Sequence, residues 1–116
     1  MKVKVIMLSL VLALSSGYAK DLEKVTKACN DGDAVACVSI GAIYDKGIEV
    51  AKDYTKAFKF YKKGCDGGEA DGCTLLGGMY EFGKGVTQDK VKAAQYYKKA
   101  CEGGSVGGCL LFKTIK

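Results

Sequence analysis

The sequence predicts an all-α protein, an α/α solenoid in which pairs of helices stack on one another. Three observations support this fold class: a repeat of 36 residues, apolar stripes at helical spacing, and cysteine pairs that recur with the repeat. Repeats of this length are typical of solenoids, in which each unit buries its apolar face against its neighbours. The two cysteines of each pair lie eight residues apart, at Cys29 and Cys37, Cys65 and Cys73, and Cys101 and Cys109.

The repeat is evident in a comparison of the chain with itself. Residues 28–63 align with residues 64–99 without a gap and share 14 of 36 positions. A third, partial copy covers residues 100–116, and residues 21–27 resemble the tail of an earlier unit. We therefore predict one repeat domain over residues 20–116.

Residues 1–19 have the pattern of a secretory signal peptide. Lys2 and Lys4 precede an apolar run over residues 5–14, and Gly17 and Ala19 are the small residues that signal peptidases favour. The apolar run is too short for a comfortable membrane span, and no later segment is longer, so no transmembrane segment is predicted. Cleavage would leave 16 lysines and 13 acidic residues, a net charge of +3. The predicted location is secreted or periplasmic.

The cysteines predict disulfide bonds, because an exported chain meets an oxidising compartment and a small core benefits from cross-links. Six cysteines allow about 15 pairings, of which the repeat symmetry favours the pairing within each eight-residue interval. Residues eight apart in one helix are separated by about 12 Å, too far for a disulfide, so the chain must turn between them. Gly and Asx residues suited to such turns occupy 30–33, 66–69 and 102–105.

Zinc is the competing interpretation, but its ligands usually lie two to four residues apart and include His, which this chain lacks. No metal or cofactor is predicted.

The apolar stripes define two kinds of helix. One stripe, at steps of three and four, predicts A helices over 34–46 and 70–82, and the other predicts B helices over 54–65 and 90–101. A short helix over about 21–29 precedes them, and a closing A helix begins at Val106. Asp53 and Asp89 are expected to cap the B helices, and Gly47 and Gly83 to end the A helices.

Two glycines fall inside the predicted A helices, at Gly41 and Gly77. Each costs about 1 kcal/mol relative to Ala in a helix interior, so we expect a neighbouring helix to approach closely there, with Tyr rings filling the space beside it. The third copy has Lys113 at this position, which suits a terminal helix without such a neighbour.

These positions carry a family resemblance. The pattern Gly41-x-x-Tyr44-x-x-Gly47-x-x-Val50-x-x-Asp53-x-x-Lys56-Ala57-x-x-x-Tyr61-x-Lys63, repeated over Gly77–Lys99, resembles the Sel1-like repeat, a relative of the tetratricopeptide repeat. With the paired cysteines, the chain is similar to the secreted Helicobacter cysteine-rich proteins. The resemblance implies a right-handed superhelix with disulfide-linked helix pairs, whose concave face is lined by A helices and binds a partner.

A binding module is the first functional prediction. The partner would be a protein, a peptide or a cell-wall ligand of the penicillin-like type, held on the concave face. Nucleic acid is not predicted, because the chain has no Arg for bidentate recognition of phosphates or bases. The residues expected to line the groove are Ser39, Asp45, Thr74, Leu75, Gly78, Glu81 and Phe82.

An enzyme is the alternative, because the cysteine-rich family carries a β-lactamase label. The residues themselves contain no motif for it. Serine β-lactamases use Ser-x-x-Lys, which neither Ser39 nor Ser105 begins, and metallo-enzymes need His ligands. Acid–base catalysis would fall to Asp45, Glu81 or a lysine, and no sequence feature pairs them.

Overall fold

The computed structural model describes residues 21–116. The signal peptide predicted for residues 1–19 lies outside the described residues. All regular secondary structure in the described part of the chain is helical, and we label the helices in chain order. They are α1 (21–30), α2 (Ala34–Lys46), α3 (Tyr54–Asp66), α4 (Ala70–Phe82), α5 (Lys90–Glu102) and α6 (Val106–Thr114). None of these helices is long and apolar enough to cross a membrane.

The helices alternate as the sequence predicts: α2, α4 and α6 are A helices, and α1, α3 and α5 are B helices. The bounds of α2 and α4 agree with the prediction, and α3 and α5 each extend one residue further. The predicted caps of the B helices are confirmed, since the Asp53 carboxylate accepts the backbone N–H of Lys56 and Asp89 accepts that of Lys92.

The A helices end as predicted. Gly47 and Gly83 adopt left-handed backbone angles, with φ of 68° and 66°, which side chains disfavour. The chain then returns to the same helix end, where the N–H of Asp53 donates to the Tyr44 carbonyl at 2.9 Å. The second repeat closes in the same way.

The close helix approach expected at the internal glycines is confirmed. A Cβ on Gly41 would stand 2.5 Å from Cδ1 of Tyr61, and one on Gly77 would stand 2.6 Å from Cε1 of Tyr97. Both tyrosines come from the following B helix and are about 1% exposed. Glycine lowers the helix propensity at these positions. Because it has no side chain, however, a B-helix ring can lie directly on the A-helix backbone.

All six cysteines form the predicted disulfides. Each joins the end of a B helix to the first turn of the next A helix, with Cα atoms 4.4–4.6 Å apart.

The central core combines both repeats and contains Ala57, Tyr61, Leu76, Ala93 and Tyr97, all at most 1% exposed. Of the three cross-links, the Cys65–Cys73 bond belongs to this core, and Cys29 and Cys37 lie in a separate buried cluster with Ala36.

Within residues 21–116, no B helix covers the outer side of α6. Phe112 occupies the repeat position of Ile40 and Leu76, which are fully buried, yet it is 40% exposed. Val106 and Leu110 are more exposed still, at 74% and 59%. The last described helix thus exposes several large apolar side chains beside its polar residues Lys113 and Thr114.

Candidate functional site

The exposed side of the A helices is the surface that the sequence predicts as a groove. Positions 36 residues apart fall in rows across α2, α4 and α6, and the central row is Ser39, Leu75 and Leu111. Leu75 and Leu111 are each 38% exposed, and Phe82, at the end of α4, is 67% exposed. We call a set of exposed or half-buried positions on this side of the A helices the A-face. They are Ser39, Ala42 and Lys46 on α2, Leu75, Gly78 and Phe82 on α4, and Leu111 and Thr114 on α6.

Leu111 was not among the predicted groove residues. The repeat itself could have found it, because it lies one period after Leu75. Its inclusion extends the apolar part of the A-face from α4 onto α6.

Two carboxylates at the edge of the A-face are hydrogen-bonded to buried phenols. The Tyr61 hydroxyl donates to Asp45 Oδ2 at 3.0 Å, and the Tyr97 hydroxyl donates to Glu81 Oε1 at 2.6 Å. Burial, and then the hydrogen bond to the carboxylate, raise the pKa of both phenols. Each carboxylate is therefore held in place by the B helix behind it, and a second oxygen stays available as an acceptor.

The hydroxyl residues have intramolecular partners. Ser39 Oγ donates to the Val35 carbonyl within α2 at 3.1 Å. Thr74 Oγ1 bonds both the Ala70 carbonyl and Ser105 Oγ, the latter at 2.8 Å. Ser105 is 6% exposed and also caps α6 by accepting the N–H of Gly108. Thr74 thus contributes to the α4–α6 junction, and Ser39 is the predicted hydroxyl that lies on the exposed surface.

At Gly78 no side chain projects from α4 into the A-face. This glycine lies between Leu75 and Phe82 along the helix, and the nearest atom that a Cβ would meet is the Tyr97 hydroxyl, at 3.8 Å. Helical spacing therefore places Leu75, Gly78 and Phe82 on one side of α4, with Glu81 at the edge. Ser39 and Asp45 lie one repeat away on α2.

Two clefts lie elsewhere, near α1, and neither is lined by a predicted groove residue. One, of about 340 Å³, lies by the first disulfide between the α1–α2 turn and the end of α3. The other, of about 460 Å³, is lined by Leu22, Glu23, Thr26, Lys27, Asn30 and Tyr44. Among residues 21–116, no three His, Cys, Asp or Glu side chains converge as metal ligands would.

Comparison with known families gives the decisive observation. The model of the Sel1 repeat matches residues 34–69 and 70–105, which is more than half of the chain. The chain belongs to the Sel1 repeat family. In this division each Sel1 repeat is one A–B helix pair with the turn that follows, and the disulfides join adjacent repeats.

Solved structures of other Sel1 proteins agree. The chain is similar to cysteine-rich protein B of Helicobacter pylori, with 34% identity and a TM-score of 0.77 over 81% of this chain and 71% of that one. It also resembles a Sel1 repeat protein from Oxalobacter formigenes, at 26% identity and a TM-score of 0.74 over 80% of this chain and 38% of that one. A third structure is a protective antigen of uropathogenic Escherichia coli with the SLR fold, at 33% identity and a TM-score of 0.75, over 79% and 20% of the two chains.

A comparison with curated proteins yields no match. The Sel1 solenoid with its three disulfides is consistent with a protein-binding repeat scaffold, and Sel1 repeats generally mediate protein interactions. Three disulfides, together with the similarity to a cysteine-rich protein, are typical of an extracytoplasmic protein.

Proposed function

We propose that this Sel1 protein is an exported scaffold that binds an extended segment of another protein on its A-face. Export would follow from the leader predicted at residues 1–19, and the disulfides would keep the short solenoid rigid outside the cytoplasm. A rigid surface favours binding because little conformational entropy is lost when the partner docks.

The exposed apolar side chains of the A-face carry the proposal. Leu75, Phe82 and Leu111 leave large apolar groups in water on one side of α4 and α6. Exposed apolar groups that cluster in one place are typical of contact surfaces. Gly78 adds a shallow site between Leu75 and Phe82, where an apolar side chain of the partner would fit.

Polar groups around this patch would orient the partner. Hydrogen bonds from Tyr61 and Tyr97 hold the carboxylates of Asp45 and Glu81 in place. Each carboxylate therefore offers a hydrogen-bond acceptor whose side chain needs no further ordering when the partner binds. Main-chain N–H groups of an extended peptide are the donors that such fixed carboxylates suit. Lys46 on α2 supplies positive charge at one side of the patch.

The test is selection of peptides from a random library on the oxidised mature protein, followed by affinity measurements on two matched variants. Phe82→Ser removes a side chain that is 67% exposed on the A-face, and Val91→Ser removes one that is 69% exposed on α5. We expect Phe82→Ser to weaken the selected peptides at least tenfold and Val91→Ser to change affinity less than twofold. Equal effects of the two variants would refute the A-face as the binding surface.

A penicillin-like cell-wall ligand, and its hydrolysis, have weaker support. Both post-signal serines have structural partners, Ser39 within α2 and Ser105 at the cap of α6, and neither hydrogen-bonds a lysine. Asp45 and Glu81 lie one repeat apart, each on its own tyrosine, rather than as a catalytic pair. A chromogenic β-lactam assay with Asp45→Ala and Glu81→Ala tests this alternative: turnover that either substitution abolishes would favour the hydrolase.

A further inference from the structure

Charge is separated between helices α3 and α5 and the rest of residues 21–116. Helices α3 and α5 together carry eight lysines and two acidic residues, a net charge of +6. The remainder of residues 21–116 carries seven lysines and eleven acidic residues, a net charge of −4. We call the exposed lysines on the outer side of α3 and α5 the lysine face: Lys56, Lys59, Lys62, Lys63, Lys92, Lys98 and Lys99.

The charge on the lysine face is mostly not neutralised by neighbours. Within the described residues, Lys62 is the member with a carboxylate partner, at 3.1 Å from Asp66, whose hydrogen bond raises the pKa of Lys62. Lys63 donates instead to the neutral amide oxygen of Asn30 at 3.1 Å. The two acidic residues of α3 and α5 stand at the last positions of the helices, Asp66 and Glu102. The middle of the face is therefore cationic.

Aromatic rings position several of these ammonium groups. Lys56 Nζ lies 5.1 Å from the centre of the Tyr44 ring, which stacks on Phe60, and Lys63 Nζ lies over Phe60 at 5.6 Å. A ring face attracts a cation but leaves its net charge in place. The rings thus restrain these lysine side chains without neutralising their charge. An anion that binds there has less side-chain entropy to remove.

The same arrangement recurs in the next repeat. Lys92 Nζ lies 5.5 Å from the centre of the Tyr80 ring, and Tyr80 stacks on Tyr96 at 5.5 Å. Lys92 and Lys99 are one period after Lys56 and Lys63. The solenoid therefore places positive groups in a regular row across its B helices, which suits a ligand whose negative charges also repeat along a chain.

We propose that the lysine face binds a linear polycarboxylate, namely an acidic polysaccharide. The face presents lysine point charges and no guanidinium forks, so it fits carboxylates that need no fixed orientation. Lys56 and Lys92 lie over the Tyr44 and Tyr80 rings, which makes those rings less accessible as platforms for stacked nucleobases. This surface is separate from the A-face, so the inference is independent of the protein-binding role.

Calorimetric titration of the oxidised mature protein with polygalacturonate, at 50 mM and 300 mM NaCl, tests the proposal. The test variant is Lys56→Gln/Lys63→Gln/Lys92→Gln/Lys99→Gln. The control, Lys24→Gln/Lys46→Gln/Lys113→Gln/Lys116→Gln, removes equal charge outside the face. A second test variant, Lys59→Gln/Lys62→Gln/Lys98→Gln, spares the lysines that lie over rings, so that its fold is preserved even if the first variant unfolds.

We expect saturable binding at 50 mM NaCl that weakens at least tenfold at 300 mM, because salt screens such contacts. The first test variant should lose at least tenfold in affinity, the second at least threefold, and the control less than threefold. Absence of binding to polygalacturonate, or an equal loss in test and control variants, would overturn the proposal. Binding confined to polyglutamate or to anionic phosphatidylglycerol vesicles, tested in parallel, would overturn the choice of a polysaccharide.

Discussion

Gly77 lies against the ring of Tyr97 so closely that a Cβ on the glycine would stand 2.6 Å from Cε1 of that ring. Gly41 and Tyr61 are related in the same way one repeat earlier. Each contact fixes the distance between an A helix and its B helix, and it brings the phenol hydroxyl to the carboxylate at the edge of the A-face. The packing of the repeat and the geometry of the candidate site therefore depend on the same residues.

Substitution of the two adjacent glycines of α4 should have opposite effects. Gly77→Ala is expected to lower the free energy of unfolding by about 1–3 kcal/mol, because the methyl group overpacks against a buried ring. Gly78→Ala has space, with its nearest neighbour at 3.8 Å, and should raise that free energy by up to about 1 kcal/mol through helix propensity. Urea unfolding of both variants measures the difference. Equal stabilities would show that the contact with Tyr97 does not limit the approach of α5.

Stability should decline at alkaline pH because of Tyr61 and Tyr97. Burial and hydrogen bonds raise the pKa of both phenols in the folded state, so they stay protonated when the unfolded chain loses its phenolic protons, above about pH 10. The stabilisation is complete below that pH and is lost as the pH rises toward the folded-state pKa. The double variant Tyr61→Phe/Tyr97→Phe should be less stable at pH 7 and show a shallower decline between about pH 10 and 11.5. Unfolding curves across this range measure the slopes, and parallel slopes would contradict the assignment.

The central disulfide should contribute more to cooperativity than the last one. Cys65→Ala/Cys73→Ala removes the bond between the two complete repeats, with an expected loss of about 2–3 kcal/mol. Thermal unfolding of this variant should broaden as the repeats uncouple. Cys101→Ala/Cys109→Ala is the control, because it releases α6 alone and should leave the main transition sharp. Identical transitions in the two variants would argue against coupling through the central bond.

The first turn of α4 lacks a cap that the other A helices have. Asp33 and Ser105 accept backbone N–H groups of α2 and α6, whereas Glu69, at the same repeat position, makes no such hydrogen bond. Glu69→Asp keeps the charge at the helix N-terminus and shortens the side chain to capping length. We expect a gain of about 0.5–1 kcal/mol in the free energy of unfolding, measured in urea. A loss of stability would mean that Glu69 has another structural role.

The repeat made most of the fold predictable from sequence. Helix bounds, the caps Asp53 and Asp89, and the disulfides follow from local signals that recur with the period, so each position is supported by its copy. Gly41 and Gly77 also predicted close packing. Glycine is unfavourable in a helix interior, so its presence there indicates that a neighbour leaves no room for a side chain.

The hydrogen-bond partners of the side chains within the site could not be predicted from the sequence. Asp45 and Glu81 were predicted as groove residues, but the phenols that bind them lie 16 residues later on another helix. Helical periodicity specifies which face a residue occupies and leaves its rotamer and cross-helix partner open. For the same reason Thr74 was predicted as a ligand contact, although it hydrogen-bonds Ser105 at the α4–α6 junction. The groove as a binding surface stays a prediction.

The most direct test of the account is amide hydrogen exchange of the oxidised protein with and without a peptide selected as above. The proposed A-face predicts slowed exchange on binding in α4 and α6, around Leu75, Phe82 and Leu111, with α3 and α5 unchanged. Slowed exchange confined to α3 and α5, or to the clefts beside α1, would contradict it.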